Sequence, residues 1–369
     1  MNRPWPAARH LLPLLQDARH CRTMLLADWD DTIRLARQAR VLGPVAHRLR
    51  DQDELWASLH PRVRGHLQAA IHYSAYRLQL LRIEMHALDA ALPRDLPVAL
   101  LKGASYLLQN LPMARGRMPN DVDILVARAD LDAAEAALRS AGWKMEAKSA
   151  YDERYYREWS HELPPMRYPG HPLEVDLHHT IAPVTSRTRA DDELLFEGLR
   201  SVPGSRFLVL DPCDQVIHAA IHLFQDSELH GQLRGLVDVD GLVRQHLGDN
   251  SVAWRRLVDR AERHRAARVL WYALHYGRGW LGTPVPEELA LEPPPRWARW
   301  GMDWVFSRAC PPRIPDVPPR LVERLADGLG LLRYHRLRMP PTLLARHVLH
   351  KTRMTLTPRA WARGRSSST

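Results

Sequence analysis

The stretch RMPNDVDILVARADLDAAEAALRSAGW (residues 117–143) decides how the rest of the chain is read. It opens as a polar loop and passes into DVDILV (121–126), a run rich in β-branched residues that predicts a strand. ADLDAAEAALRSAGW then has helical spacing, with Asp130 placed as N-cap and Gly142 as the C-terminal stop. Successive strand side chains point to opposite faces, so Asp121 and Asp123 project together while Val122, Ile124 and Val126 face a core. Two adjacent carboxylates repel unless something positive sits between them, and a hard divalent cation with oxygen ligands is the usual solution. Taken alone such a D-x-D triplet is weak, because most are solvated strand ends.

Its setting strengthens it. Downstream, LEVDLHH (173–179) predicts a second strand whose alternation puts Glu174, Asp176 and His178 on one face. A third carboxylate on a neighbouring strand is what a two-ion phosphoryl-transfer site needs, because ions about 4 Å apart share a bridging carboxylate. Upstream, PVALLKG (97–103) reads as a buried strand and ASYLLQNL (104–111) as a helix. Lys102 and Gly103 then sit at a strand-to-helix junction, where Gly lets backbone approach a ligand and a helix N-terminus favours phosphate. Lys102 could add a point charge for a triphosphate.

Working outward, residues 1–95 read as helical, with apolar residues three and four apart and breaks at Gly43-Pro44 and His60-Pro61. Residues 96–182 form a small α/β unit, with further strands expected near 153–160 and 172–181. Residues 183–285 read as a second helical region that opens at LDPCDQVIHAAIHLF, with Asp211 as N-cap, Pro212 at the first helical position and Asp214 three residues past the cap. Residues 286–369 form a Pro-rich and basic extension, with 285–320 expected to be a linker or irregular and the tail RGRSSST disordered. The expected class is α+β: a small mixed sheet with helices, flanked by N-terminal and C-terminal helical regions.

Composition narrows the function. The 369 residues carry 45% hydrophobic and 25% charged side chains, with no apolar run long enough to span a membrane and no signal-peptide pattern at the N-terminus. Three scattered cysteines (Cys21, Cys213, Cys310) suit a reducing cytoplasm. The net charge of +10 suggests nucleic acid, but from Arg296 onward there are 15 Lys and Arg against 4 Asp and Glu, and before it 37 against 38. The excess therefore lies away from the carboxylates in the chain. A nucleic-acid partner is not expected at the core, whereas the basic C-terminus could touch an acidic partner or membrane surface.

At these residues the chain resembles the polymerase-beta-like nucleotidyltransferase superfamily. It resembles more closely a bacterial group of uncharacterised nucleotidyltransferases, through Lys102-Gly103, Arg117 four residues before the first acid, DVDILV and VDLH (175–178). The similarity extends over roughly residues 20–285. It implies a nucleotidyltransferase-type sheet and an enzyme that moves a nucleoside monophosphate from a nucleoside triphosphate to a hydroxyl. The acceptor would be a small molecule, a sugar intermediate or a protein. It further implies Asp121, Asp123 and Asp176 as ligands of Mg²⁺ or Mn²⁺, two ions in all, with Lys102, Gly103, Ser105 and Arg117 on the phosphates. The superfamily's usual Gly-Ser turn is here Lys-Gly-Ala (102–104), so the phosphate grip departs from the pattern.

His178 could orient a carboxylate, and His222 and Arg234 are placed at the cleft or the acceptor. His218 and His222 share a helix face but lack a third zinc ligand nearby, and Asp238 and Asp240 do not share one. Trp297, Trp300 and Trp304 are expected to bury one helix face. Two other functions fit a D-x-D. A glycosyltransferase would need a βαβ nucleotide-binding half before it, where helices are predicted, and a binding or scaffold protein would carry a degenerate site.

Overall fold

A computed structural model describes residues 9–145, 156–225 and 229–338. Helices α1 (Leu11–Gln16), α2 (Leu26–Gln38), α3 (Leu42–Arg50), α4 (Asp53–Ser58) and α5 (Pro61–Ala91) come first. His60 caps α5 by accepting from the Arg62 amide at 3.2 Å, with Pro61 at the first helical position, where its missing N–H costs nothing. The break between α2 and α3 falls at Arg40, with φ +55°, and Val41; Gly43 and Pro44 lie in the first turn of α3. No βαβ unit precedes the D-x-D among the described residues, which removes the structural premise of a nucleotide-sugar glycosyltransferase.

The sheet follows: β1 (Ala99–Leu100), α6 (Lys102–Leu108), β2 (Asp121–Leu125), α7 (Leu131–Ser140), β3 (Lys144–Met145), β4 (Met166–Arg167), β5 (Glu174–His178), α8 (Asp192–Glu197), β6 (Arg200–Ser201) and β7 (Leu208–Val209). Its order is β3-β4-β5-β2-β1-β7-β6. Strands β2 and β5 are parallel and adjacent, with Asp121 opposite Glu174, Asp123 opposite Asp176 and Leu125 opposite His178. Where a strand is expected near 153–160, residues 156–159 are helical, and 153–155 lie outside the described residues. A polar-aromatic run that short fits either period, and β4 forms later.

Helices α9 (Pro212–Gln225), α10 (Leu233–His246), α11 (Ser251–Arg263), α12 (Ala267–Leu281), α13 (Arg296–Ala309) and α14 (Leu321–Arg338) complete the fold. Asp211 accepts from the Cys213 amide at 3.0 Å, whereas Asp214 turns inward to Arg260 and His264. The Pro-rich stretch is more regular than expected, because α13 fills its proline-free centre between Pro295 and Pro311. That helix buries Ala298, Met302, Val305, Phe306 and Ala309, a stripe that leaves Trp297 and Trp300 each 76% exposed. The tryptophans do not form the buried face; only Trp304 packs partly against the core.

Two cores result. One lies behind the sheet, where Val122, Ile124, Val126, Val175 and Leu177 pack on α5 and α7. The other joins α1–α3 to the C-terminal helices. Helix α5, whose 31 residues span about 46 Å, contributes Leu81 and Leu88 to the first and Val63, Leu67 and Ala70 to the second. It ties the back of the sheet to the helical regions. Among the described residues no helix is long and apolar enough to cross a membrane.

Candidate active site

Pleat alternation aims the acids of β2 and β5 out of the sheet core. Asp123 is 2% exposed, and its Oδ1 is 2.6 Å from Lys102 Nζ and 3.0 Å from His178 Nε2. Burial works against its charge, but the Lys102 ammonium and the bond with His178 outweigh that and hold its carboxyl well below the ordinary value. Asp176 behaves oppositely: burial, then the charges of Asp123, Glu162 and Asp121, push its carboxyl well above the ordinary value. Its Oδ1 is buried without a hydrogen-bond partner. Asp121 meets solvent within the cleft, yet the loss of water there and the Asp123 charge raise its carboxyl too. Neighbouring acids pushed apart in this way mark a site where proton and cation traffic is divided between them.

Lys102 reaches Asp123 from the β1–α6 junction at a backbone φ of +44°. A lysine pays for that left-handed conformation, and such strain persists where surrounding structure fixes it. Burial opposes the ammonium, but Asp123 and Asp121 overcome it and raise its pKa, so it stays charged.

Two cavities open on either side of Lys102, Asp121 and His222, which line both. The first, of about 530 Å³, is walled by Arg37, Arg40, Gly103, Arg117, His230 and Arg234. Arg117 is buried, lies over the Tyr106 ring at 4.9 Å and pairs with Asp238 at 3.1 Å. Its loop is fixed by the crossing of Gly116 over Gly43, where a Cβ at Gly43 would come 2.1 Å from the Gly116 carbonyl oxygen. The second cavity, of about 230 Å³, is lined by His161, Glu162, Asp176, His218, Tyr334 and Arg338, among others. Burial and then the Lys102 charge lower His218 to about 3, while Lys102 first and burial second lower His222, so both rings are neutral.

Of the residues singled out in the sequence, Lys102, Gly103, Arg117, Asp121, Asp176, His222 and Arg234 line this cleft, and Asp123 and His178 lie directly beneath it. Ser105 does not reach it. It is 2% exposed on the inner face of α6, and its hydroxyl accepts from Gln109 Nε2 at 2.9 Å. Arg37, Arg40, Glu162, Tyr334 and Arg338 carry no motif. Glu162 arrives because residues 161–163 pair antiparallel with the end of β5, placing it opposite His178.

An aspartate pair thus stands beside a third aspartate on a parallel neighbouring strand, behind a lysine turn and below an arginine-walled cavity. A family model described as "Uncharacterised nucleotidyltransferase" matches residues 26–282, and the chain belongs to that family. No curated protein and no solved structure matches it significantly. The matched span excludes α13 and α14, so the second cavity takes part of its wall, Tyr334 and Arg338, from outside the family region.

The donor set fits hard divalent cations. Three carboxylates stand on one face of β2 and β5, Asp176 Oδ1 has no hydrogen-bond partner, and Lys102 Nζ lies 2.6 Å from Asp123.

Proposed function

We propose that the protein transfers a nucleoside monophosphate from a nucleoside triphosphate to a hydroxyl of a small molecule, sugar intermediate or protein side chain, with Mg²⁺ or Mn²⁺. The observation that carries this reading is the pairing of Asp123 with Asp176 across two parallel strands, beside an arginine-walled cavity. Asp121, Asp123 and Asp176 would hold two ions. Bound there, divalent ions supply charge neutralisation at the α-phosphate and a lowered acceptor-hydroxyl pKa.

The chain's own groups do the rest. Arg37, Arg40, Arg117 and Arg234 hold the triphosphate in the larger cavity, beside Gly103. Lys102 stays charged and bridges the two cavities. The acceptor enters the smaller cavity, with Tyr334, Arg338 and the neutral His218 and His222 around it. Asp176, on the wall of the smaller cavity, takes the proton the acceptor hydroxyl loses. The acceptor oxygen bonds the α-phosphorus, the bond to the β-phosphate oxygen breaks, and pyrophosphate leaves. His178 positions Asp123. At about 230 Å³ the smaller cavity lies below the roughly 300–1,000 Å³ of ordinary ligand pockets, which suits one hydroxyl-bearing group rather than a polynucleotide. The free, buried cysteines suit a reducing cytoplasm, and the basic C-terminal segment suits an acidic partner or membrane surface.

The test is transfer of label from each α-labelled nucleoside triphosphate, with Mg²⁺ or Mn²⁺, to acceptors in host lysate. Asp121→Ala and Asp123→Ala are each expected to lower it by roughly a thousandfold, the scale of several kcal/mol of transition-state charge stabilisation. Equal transfer by the variants sinks the proposal. Absence of any nucleotide-induced rise in melting temperature favours a binding or scaffold role instead.

A further inference from the structure

Beside the aspartates lies a second donor set of different chemistry. His178 Nε2 is 3.4 Å from Glu162 Oε2, and His161 Nε2 is 3.7 Å from the same oxygen. One ligand atom from each of the three residues falls within 4.8 Å of the others, the one such trio among the described residues. Nitrogen and oxygen ligands at about 2.0–2.2 Å from a tetrahedral ion stand roughly 3.3–3.6 Å apart, so the two contacts are already near coordination-shell spacing. Asp123 Oδ1, 3.0 Å from His178 Nε2, is that nitrogen's present hydrogen-bond partner and stands outside the trio.

The trio is built into the fold. His178 is the last residue of β5 and wholly buried; its Nδ1 has no hydrogen-bond partner, nor does that of His161. The two rings lie 5.2 Å apart, centroid to centroid, and hydrogen bonds from Leu163 N to Leu177 O at 2.9 Å and from His179 N to His161 O at 3.0 Å fix their backbones. All three side chains meet at the floor of the smaller cavity, which His161 and Glu162 line. Two imidazoles and a carboxylate suit zinc, iron or similar transition ions, whereas Mg²⁺ takes oxygen.

We propose that His161, Glu162 and His178 form a transition-metal site distinct from the Mg²⁺ site of the three aspartates, with water as the fourth ligand. An ion there replaces the hydrogen on His178 Nε2. The site stands on its own donor atoms, whatever reaction the cleft performs.

The experiment uses the full chain, stripped with a chelator and loaded with Zn²⁺ or Co²⁺ in the presence of a large excess of Mg²⁺. Bound metal is counted by elemental analysis, and Co²⁺ is read by its visible absorption. The wild type is expected to retain one equivalent, with the intense bands of a four-coordinate ion. His161→Asn and Glu162→Gln are each expected to weaken binding by at least about a hundredfold, the scale of losing one of a few ligands. Asp121→Asn should leave the ion in place. Should one histidine variant misfold by circular dichroism, the near-isosteric Glu162→Gln decides. Equal retention by wild type and variants overturns the proposal. So does displacement by Mg²⁺, or loss of the ion in Asp121→Asn, which would assign it to the aspartate site. A negative result here leaves the nucleotide-transfer assay unaffected, and the two failures are distinguishable.

Discussion

The two cavities share Lys102, Asp121 and His222 and differ in almost everything else. The larger gathers Arg37, Arg40, Arg117 and Arg234 around a single acid, Asp121. The smaller sets Asp121, Glu162 and Asp176 against Lys102 and Arg338, with neutral histidines between. On the proposed reading one side takes a polyanion and the other a group that must lose a proton. Group transfer needs this polarity, because the electrophile and the nucleophile want opposite fields at the same phosphorus. The shared lysine lies on the boundary, where it pairs with the acid that both sides need.

Removing that boundary charge should have the largest effect. Lys102→Met keeps the side-chain bulk but leaves Asp123 buried beside Asp121 and Asp176 with its ammonium gone. Breaking a buried pair from one side costs about 3 kcal/mol. Urea unfolding in chelator should show that loss, and added Mg²⁺ should restore more stability to the variant than to the wild type. Unchanged stability without metal would mean that Lys102 does not neutralise the boundary.

A smaller and more selective effect is expected at Arg234. Its guanidinium lines the larger cavity and is a cleaner choice than Arg117, whose removal would strand Asp238. Burial already lowers the Arg234 pKa, so the fold bears a cost to keep that charge inside. Arg234→Met should weaken nucleotide binding about tenfold to a hundredfold, the range of one or two charge-assisted hydrogen bonds. Nucleotide-induced thermal shifts measure it. A variant that keeps the shift but loses transfer would move Arg234 out of the triphosphate cavity.

The legible part of this site is the part that obeys a local period. Strand alternation alone placed Asp121 and Asp123 on one face and Asp176 on another strand's matching face, and the parallel register joins them. Ser105 misled because proximity in sequence to the Lys-Gly turn is not proximity in space: Gly103 lines the cleft, whereas Ser105, two residues on, is buried. Glu162 was invisible, since it enters by a bridge outside any named strand. The arginines of the larger cavity come from positions 37, 40, 117 and 234, in a stretch whose net charge is slightly negative. A segment's summed charge therefore hid a local cluster that only folding assembles. The basic C-terminal excess, distant in the chain, reaches the cleft through α14.

That reach sets the smallest and most discriminating effect. Arg338 ends α14, which is anchored by Thr185 Oγ1 donating to the Arg338 carbonyl at 2.6 Å and by Arg333 donating to the Phe224 carbonyl at 2.7 Å. The Arg338 side chain bonds the Tyr334 hydroxyl and reaches Ser160 Oγ at 3.4 Å. On the proposed reading, α14, which lies outside the family-matched span, lends the smaller cavity its part in the choice of acceptor. Arg338→Met should therefore raise the lysate concentration needed for half-maximal label transfer by about tenfold, the worth of one hydrogen bond from a charged donor. The nucleotide-induced thermal shift should stay as in the wild type. If the shift falls together with transfer, the two cavities act as one and their assignment to separate substrates fails. If neither changes, the acceptor does not contact α14, and its specificity is read by the histidines on the opposite wall.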